Sequence, residues 1–285
     1  MRASTPVIAV VLVVVLVASL AGCRVQRGGQ SRSQAQQELS IYIPCGMLLP
    51  FVEAIKGFEQ RHPGVRIKAT YDNAAILVDK IVEQGDRPDL FVSPGSRELA
   101  VLEEKGLVEP GSKRALGSYE VVLIVPRGNP AGVKGWEDLT KPEVKSISVG
   151  DPDRNSVGYY SRQGLQKLGL WDKILPKMIF THDAVEAYTA VSQRKVDAAF
   201  SYLTCPLSSN PEKLSKEKVE VIVKLPRDTY EEAKVFIAQF KTSKQKGLAA
   251  QFADYLLEPA VQQMLAEKGL PNERASSDLV VPPKG

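Results

Sequence analysis

The sequence predicts an α/β fold in which mainly parallel sheets carry helices on their faces. Alternating or β-branched runs, such as residues 39–43 and 146–149, are each followed by a segment with apolar residues at helical spacing. Glycine, proline or small polar residues separate strand from helix, as at Pro44-Cys45-Gly46. Strands that alternate with helices pair in parallel, because each helix carries the chain back to the end of the sheet where the strands begin.

Length and composition indicate a soluble globular protein without a nucleic-acid partner. The chain has 285 residues, with 37 Lys and Arg against 33 Asp and Glu, and a formal net charge of +4. This excess is small and no basic stripe is interleaved with aromatic residues, so binding to nucleic acid is not expected. Removing the first 22 of the 285 residues leaves 263, enough for one large or two modest domains.

The N-terminal segment has the features of an export signal. Residues 1–22 contain a basic residue and then an apolar run over residues 7–20, which is short for a membrane span. Small residues precede Cys23 in a pattern that resembles a lipobox, where a bacterial signal peptidase cleaves and the new N-terminal cysteine is acylated. Residues 23–38, rich in Gln, Ser and Arg, would then form a lipidated flexible tether. We expect a lipid anchor at the membrane, on the periplasmic or extracytoplasmic face of the cell envelope; the alternative is a plain N-terminal anchor helix.

Repeated strand–loop–helix units follow the tether. Apolar alternation marks the strands, and apolar residues three or four positions apart mark the helices. Ligands of such sheets bind beyond the carboxyl ends of the strands, where Cys45-Gly46 and Asn73-Ala74 lie. The predicted strands are residues 39–43, 65–69 and 89–93, and the predicted helices run over residues 47–58 and from residue 76 to a stop at residues 85–88.

A helix that begins at Ser156 is predicted near the middle of the chain. The strand at residues 146–149 ends at a Gly-Asp-Pro turn, and the helical pattern follows a polar loop. Ser156 is a good N-cap, and Gly158 leaves the first turn without a side chain. A bare helix start offers unpaired N–H groups and a partial positive charge, so it is a candidate site for a small anion. The alternative is an ordinary strand–helix unit with a solvated cap.

The same segment resembles the molybdate-binding proteins of ABC transporters. In that family a Gly-Asp-Pro turn, a small-residue loop and a helix ending in Leu-Gly-Leu-Trp-Asp follow one another; here the turn is residues 150–152 and the last run is residues 168–172. The Asp-x-Phe-x-Ser strand at residues 89–93 is also similar, and the Trp-Glu-Asp-Leu segment at residues 136–139 resembles one that opens the second lobe of many solute-binding proteins. The resemblance covers residues 39–272. It implies the two-lobed type II fold of periplasmic binding proteins, with two hinge crossings.

The resemblance also divides the chain into lobes. A strand at residues 121–125 enters the second lobe, and residues 235–240 look like the return crossing. The expected divisions are lobe 1 at residues 39–120 and 238–275, lobe 2 at residues 121–237, and a C-terminal tail at residues 276–285. Further strands are predicted at residues 177–180, 196–202 and 219–225, with a helix from Asp183 and helices over residues 248–268.

The family implies a small tetrahedral oxyanion, such as molybdate or tungstate, bound between the lobes for import. Its members hold the ion with two serine hydroxyls, backbone N–H groups at helix starts and a tyrosine of the second lobe. In this sequence Gly46 and Ala74 stand at the serine positions, Val157 and Ala184 at backbone-donor positions, and Tyr202 at the tyrosine position. Both hydroxyls are therefore missing, which costs the bound ion about 1–3 kcal/mol each if nothing replaces them.

Neighbouring residues complete the predicted set and raise an alternative ligand. Asn73 could supply an amide donor near the second missing hydroxyl. Sulfur ligands from Cys45, Met47 and Cys205 would favour a soft metal ion such as Cu(I), and a thiolate would repel an oxyanion. Met47 as core filler and a disulfide between the two cysteines are the other interpretations. The full predicted ligand set is Cys45, Gly46, Met47, Asn73, Ala74, Ser156, Val157, Gly158, Ala184 and Tyr202.

Motifs for catalysis, for a structural zinc site or for cofactor binding are missing from the sequence. The two histidines, His62 and His182, are far apart, and there is no nucleophile elbow, phosphate loop or dinucleotide fingerprint. Cys205 with His182 as its base is the remaining enzymatic alternative. We expect a monomeric binding protein without a cofactor, whose partners are a small oxyanion and an ABC transporter permease.

Overall fold

The computed structural model describes residues 36–182, 184–207 and 218–270. The predicted signal peptide, Cys23, most of the predicted tether, Asp183 and the predicted tail lie outside the described residues. Among the helices that are described, none is long and apolar enough to span a membrane.

Strands and helices alternate along most of the described chain. The strands are β1 (Gln37–Pro44), β2 (Val65–Asp72), β3 (Leu90–Ser93), β4 (Arg114–Ser118), β5 (Val121–Pro126), β6 (Ile147–Gly150), β7 (Met178–Thr181), β8 (Ala198–Tyr202), β9 (Val219–Lys224) and β10 (Lys234–Gln239). The α-helices are α1 (Leu48–Arg61), α2 (Ala74–Val82), α3 (Ser96–Glu104), α4 (Ser156–Lys167), α5 (Trp171–Ile174), α6 (Ala184–Ser192), α7 (Thr204–Leu207), α8 (Lys246–Tyr255) and α9 (Pro259–Glu267).

Two five-stranded sheets with equivalent strand orders form the two lobes. The first sheet has the order β2-β1-β3-β10-β4 and the second β7-β6-β8-β5-β9. In each sheet four strands run in one direction, and one strand, β10 or β5, runs in the opposite direction. The predicted architecture of two lobes, each with a mainly parallel sheet and flanking helices, is confirmed.

Helices cover both faces of the first sheet, and its central strand β3 is buried on both sides. On one face Phe58 of α1 packs edge-on against Phe252 of α8, with ring centroids 5.1 Å apart. On the other face Leu77 of α2 and Leu99 of α3 share a second buried cluster with Phe91 of β3. A strand that is buried on both faces is typical of sheets with helices on each side.

Two crossings connect the lobes and lie side by side. The first consists of Tyr119 and Glu120, between β4 and β5, and the second consists of residues 225–233, between β9 and β10. The N–H group of Tyr119 donates to the carbonyl oxygen of Ala233 at 2.9 Å, so the two crossings are hydrogen bonded to each other.

The carboxylate of Glu120 joins the crossings a second time. Its Oε2 is 2.7 Å from Nζ of Lys224, and its Oε1 is 2.8 Å from a guanidinium nitrogen of Arg227. The side chain of Glu120 is only 8% exposed. A buried carboxylate requires such partners, because its desolvation is otherwise unfavourable.

The chain returns to the first lobe earlier than predicted. Strand β10 is hydrogen bonded to β3 and β4 of the first sheet, so the second lobe ends before Lys234 rather than at residue 237. Strand β4 itself has no counterpart among the sequence predictions, because Arg-Ala-Leu-Gly-Ser lacks an alternating apolar pattern.

Candidate functional site

A small cavity lies between the two lobes, beyond the carboxyl ends of the strands. Its volume is about 30 Å³, which is room for about two water molecules at about 10–15 Å³ each. A peptide or an oligosaccharide does not fit this space. All of the lining residues have uncharged side chains, and they are Pro44, Cys45, Gly46, Asn73, Ala74, Pro94, Tyr119, Asn155, Ser156, Ala184 and Tyr202.

Three helices begin at this cavity. Asn73 and Ala74 lie at the start of α2, Asn155 and Ser156 at the start of α4, and Ala184 at the start of α6. Each helix has at least nine residues. Helix N-termini carry a partial positive charge and unpaired N–H groups, so their convergence makes an uncharged cavity favourable for an anion.

Asn155, and not Ser156, is the N-cap of α4, so the predicted cap is wrong. Asn155 Oδ1 accepts hydrogen bonds from the N–H groups of Val157 at 2.9 Å and Gly158 at 3.4 Å. Ser156 is already the first helical residue, whereas Asn155 has extended backbone angles. The Asn155 side chain lies against Gly150, where a Cβ atom would be 2.5 Å from Asn155 Cγ. The N–H group of Val157, a predicted ligand donor, is therefore engaged by the cap.

Most of the predicted ligand residues meet at the cavity. Met47, Val157 and Gly158 are not among its lining residues. Met47 is fully buried in the hydrophobic core. A Cβ atom on Gly158 would be 1.9 Å from the carbonyl oxygen of Gly150, so this glycine allows α4 to approach the end of β6. The residues that do line the cavity are Cys45, Gly46, Asn73, Ala74, Ser156, Ala184 and Tyr202.

Asn73 links the two lobes at the edge of the cavity. Its Oδ1 accepts from the N–H group of Ala75 at 2.8 Å and so caps α2. Its Nδ2 donates to the carbonyl oxygen of His182, in the second lobe, at 2.9 Å. The amide that the sequence suggested as a ligand donor therefore uses one of its hydrogens to join the lobes.

A stacked pair of tyrosines forms one wall of the cavity. The rings of Tyr119 and Tyr202 are nearly parallel, with centroids 3.9 Å apart and an interplanar angle of 9°. Both residues are buried, and this burial raises the pKa of each hydroxyl well above its usual range. Both phenols are therefore neutral at physiological pH and can donate hydrogen bonds. Sequence reasoning identified Tyr202 but missed Tyr119, whose only signal is its position at the first crossing.

The surroundings of Gly46 contain a thiol and two hydroxyls. A Cβ atom on Gly46 would lie 3.4 Å from Cys205 Sγ, 3.9 Å from the Tyr119 hydroxyl oxygen and 4.0 Å from Thr204 Oγ1. Cys205 is buried and Cys45 is half-buried. Over the described ranges, no group of three or more His, Cys, Asp or Glu residues is arranged to hold a metal ion.

The lobes also touch away from the cavity. The guanidinium carbon of Arg97, in α3 of the first lobe, lies 4.2 Å from the centroid of the Tyr159 ring, in α4 of the second lobe. Together with the bond from Asn73 to His182, this contact joins the two lobes, and we call this arrangement closed.

The amino-acid sequence is similar to those of bacterial transport proteins. The family model for bacterial extracellular solute-binding proteins matches residues 39–270. YvgL of Bacillus subtilis, assigned to the ABC transporter substrate-binding lipoproteins, is 25% identical over 256 residues, which cover 89% of this chain and 94% of that protein. The molybdate-binding protein ModA of Haemophilus influenzae is 23% identical, with 82% of this chain and 90% of ModA covered.

Solved structures share the two-lobed fold. The molybdate-binding protein of Azotobacter vinelandii superposes with a TM-score of 0.69 at 18% identity, covering 81% of this chain and 97% of that chain. The sulfate-binding protein SubI of Mycobacterium tuberculosis gives a TM-score of 0.73 at 16% identity, covering 85% and 90%. These neighbours confirm the type II periplasmic-binding-protein fold.

The family has defined general properties. Its members are extracellular solute-binding proteins, and the similar proteins include a substrate-binding lipoprotein of an ABC transporter and molybdate-binding proteins. The family model matches most of the chain, and several relatives are molybdate-binding proteins. These two findings assign the chain to its family. The chain therefore belongs to the bacterial extracellular solute-binding proteins, as a substrate-binding protein of an ABC transporter of the molybdate- and sulfate-binding type.

Proposed function

We propose that this protein binds a tetrahedral oxyanion of the molybdate or tungstate type between its lobes and delivers it for import. The observation that carries the proposal is the convergence of α2, α4 and α6, by their N-termini, on one small uncharged cavity. Oriented N–H groups stabilise an anion without a counter-charge, and they are already in place before the anion binds.

The size and the lining of the cavity support a compact anion. Its volume of about 30 Å³ suits a ligand of a few atoms. Uncharged donors such as the Tyr202 hydroxyl and the backbone at Gly46, Ala74 and Ala184 would surround it. The relatives named for molybdate add weight to this ligand, although their identity of 21–23% leaves the choice between molybdate, tungstate and sulfate to experiment.

We propose in addition that the protein acts as a lipoprotein. Acylation of Cys23 would anchor it to a membrane on its extracytoplasmic face, and residues 24–38 would give it reach to the permease. In this role it functions as a monomer, without a cofactor and without catalysis.

A soft-metal ligand is not favoured. That alternative requires sulfur from Met47, which is fully buried in the core and does not line the cavity. Of the two thiols, Cys45 lines the cavity, whereas Cys205 is buried and is not among the lining residues.

A thermal-unfolding screen tests the proposal. Purified protein is heated with molybdate, tungstate, sulfate, phosphate or Cu(I), with chloride at equal ionic strength as the control. Molybdate or tungstate is expected to raise the midpoint, with about 2.7 kcal/mol of stabilisation when the ligand is at 100 times its Kd. The proposal is wrong if no oxyanion raises the midpoint, or if only Cu(I) does and the effect disappears in Cys45→Ala.

A further inference from the structure

We propose that Tyr119, at the first crossing, is a ligand-binding residue whose hydroxyl replaces the serine hydroxyl expected at position 46. This inference rests on the proposed function, because it names a donor to the same oxyanion. It identifies a residue of the crossing itself, and not only of the loops at the ends of the strands, as part of the binding site.

The hydroxyl of Tyr119 is placed to reach a ligand in the cavity. Tyr119 lines the cavity, and its side chain is almost fully buried. Within the described part of the chain, its hydroxyl oxygen has no hydrogen-bond partner. A buried hydroxyl without a partner is unfavourable and therefore rare in folded proteins. An oxyanion in the cavity would give this donor an acceptor.

The Tyr119 hydroxyl lies close to the space that a side chain at residue 46 would fill. The Tyr119 hydroxyl oxygen lies 3.9 Å from the position that a Cβ atom on Gly46 would occupy. A serine at residue 46 would carry its own hydroxyl one bond beyond that Cβ atom, into the same region. The absence of a side chain at Gly46 therefore leaves room for the phenol to reach the ligand.

The protonation state suits a donor. Burial is the main cause that raises the pKa of the Tyr119 hydroxyl, and the neighbouring thiols of Cys205 and Cys45 and the carboxyl of Glu98 raise it further. The phenol therefore keeps its proton at physiological pH. It can donate to an oxyanion oxygen, and it adds no negative charge to the cavity.

The position at the crossing links ligand contact to lobe closure. Tyr119 is fixed through its N–H group to Ala233 of the second crossing, and its ring stacks on Tyr202 at the end of β8. An ion bound to both phenols would hold the first crossing and the second lobe in one arrangement. The loss of the Tyr119 contact should therefore appear chiefly as faster release of the ion.

The variant Tyr119→Phe tests the assignment, with Tyr71→Phe as its matched control. Tyr71 also has a buried hydroxyl without a partner among the described residues, but it lines a different groove, beside α1 and β2. Calorimetric titration with sodium molybdate is expected to show about 5- to 150-fold weaker binding for Tyr119→Phe, the loss of one hydrogen-bond donor. Tyr71→Phe should bind as the wild type does.

A second variant tests the replacement directly. Gly46→Ser in the Tyr119→Phe background should recover at least part of the lost affinity, since a Cβ atom there meets only ordinary van der Waals contacts. If Tyr119→Phe binds molybdate as tightly as the wild type, or if Gly46→Ser recovers nothing, the inference is wrong while the proposed function stands. If the wild type binds no oxyanion at all, the proposed function fails and this inference fails with it.

Discussion

Asn155 engages the N–H groups of Val157 and Gly158, so this helix start is less open to a ligand than the sequence suggests. Asn and Ser are about equally good N-caps, and residues 155 and 156 offer one of each. Sequence alone could not choose between them, because the choice depends on the space that Gly150 leaves for the Asn155 side chain. The oxyanion that we propose would therefore take more of its donors from side chains such as the phenols.

Gly158 provides a sharp test of close packing at the residue scale. Gly158→Ala is expected to lower the free energy of unfolding by about 1–3 kcal/mol or more, because the new methyl group would meet the Gly150 carbonyl oxygen at 1.9 Å. Urea-induced unfolding, followed by circular dichroism, measures the loss.

The matched control for this variant is Gly247→Ala. Gly247 is also helical, but a Cβ atom there has nothing within 4 Å. That variant should be stabilised by about 0.5–1 kcal/mol, because alanine loses less conformational freedom than glycine on forming a helix. Equal effects of the two substitutions would contradict the packing argument at Gly158.

At the scale of elements, the alternation of strands and helices was predictable from the sequence. Buried strands such as β3 and amphipathic helices such as α1 leave a clear hydrophobic period. Strand β4 escaped prediction, since Arg114–Ser118 is a short, partly polar edge strand. The sequence also did not predict that the chain returns to the first lobe at the start of β10, because the apolar pattern of a strand does not indicate which of two sheets it joins.

The paired crossings are stabilised by a charge network whose loss is measurable. Glu120→Gln removes the carboxylate that pairs with Lys224 and Arg227. We expect a loss of about 1–3 kcal/mol in the free energy of unfolding, below that of a fully buried pair, because the Arg227 side chain is 50% exposed. Chemical denaturation at neutral pH provides the measurement.

An exposed ion pair serves as the comparison. In the pair of Arg61 and Glu258 both side chains are about half exposed, so Glu258→Gln should cost less stability than Glu120→Gln. If Glu120→Gln is no more costly than Glu258→Gln, the buried carboxylate does not hold the crossings together.

At the scale of the whole molecule, the sequence could not show which loops meet. The cavity combines residues from both lobes, and two of them, Gly46 and Tyr202, are far apart in the chain. Only the resemblance to a known family pointed to this convergence, since local periodicity carries no information about it. The resemblance did not point to Tyr119, because the ligand-binding residues expected from the family do not include this position.

The contact between Arg97 and Tyr159 supports closure and predicts an effect on affinity. Removing the cation in Arg97→Ala weakens the closed arrangement by about 0.5–1 kcal/mol. If the closed arrangement is the binding-competent one, the apparent affinity for molybdate falls about 2- to 5-fold. Calorimetric titration measures this effect.

Arg66→Ala is the control, because Arg66 pairs with Glu59 within the first lobe. It should leave the affinity unchanged. An unchanged affinity in Arg97→Ala as well would mean that this cation–π contact is irrelevant to closure.

The position of β10 has a consequence for how the newly made chain acquires its shape. This strand lies between β3 and β4 in the first sheet, yet it follows the whole second lobe in the chain. A nascent polypeptide that emerges N-terminus first from a ribosome or an export channel therefore cannot complete its first sheet until residue 239 has appeared. Until then β3 and β4 lack the strand that joins them in the finished sheet.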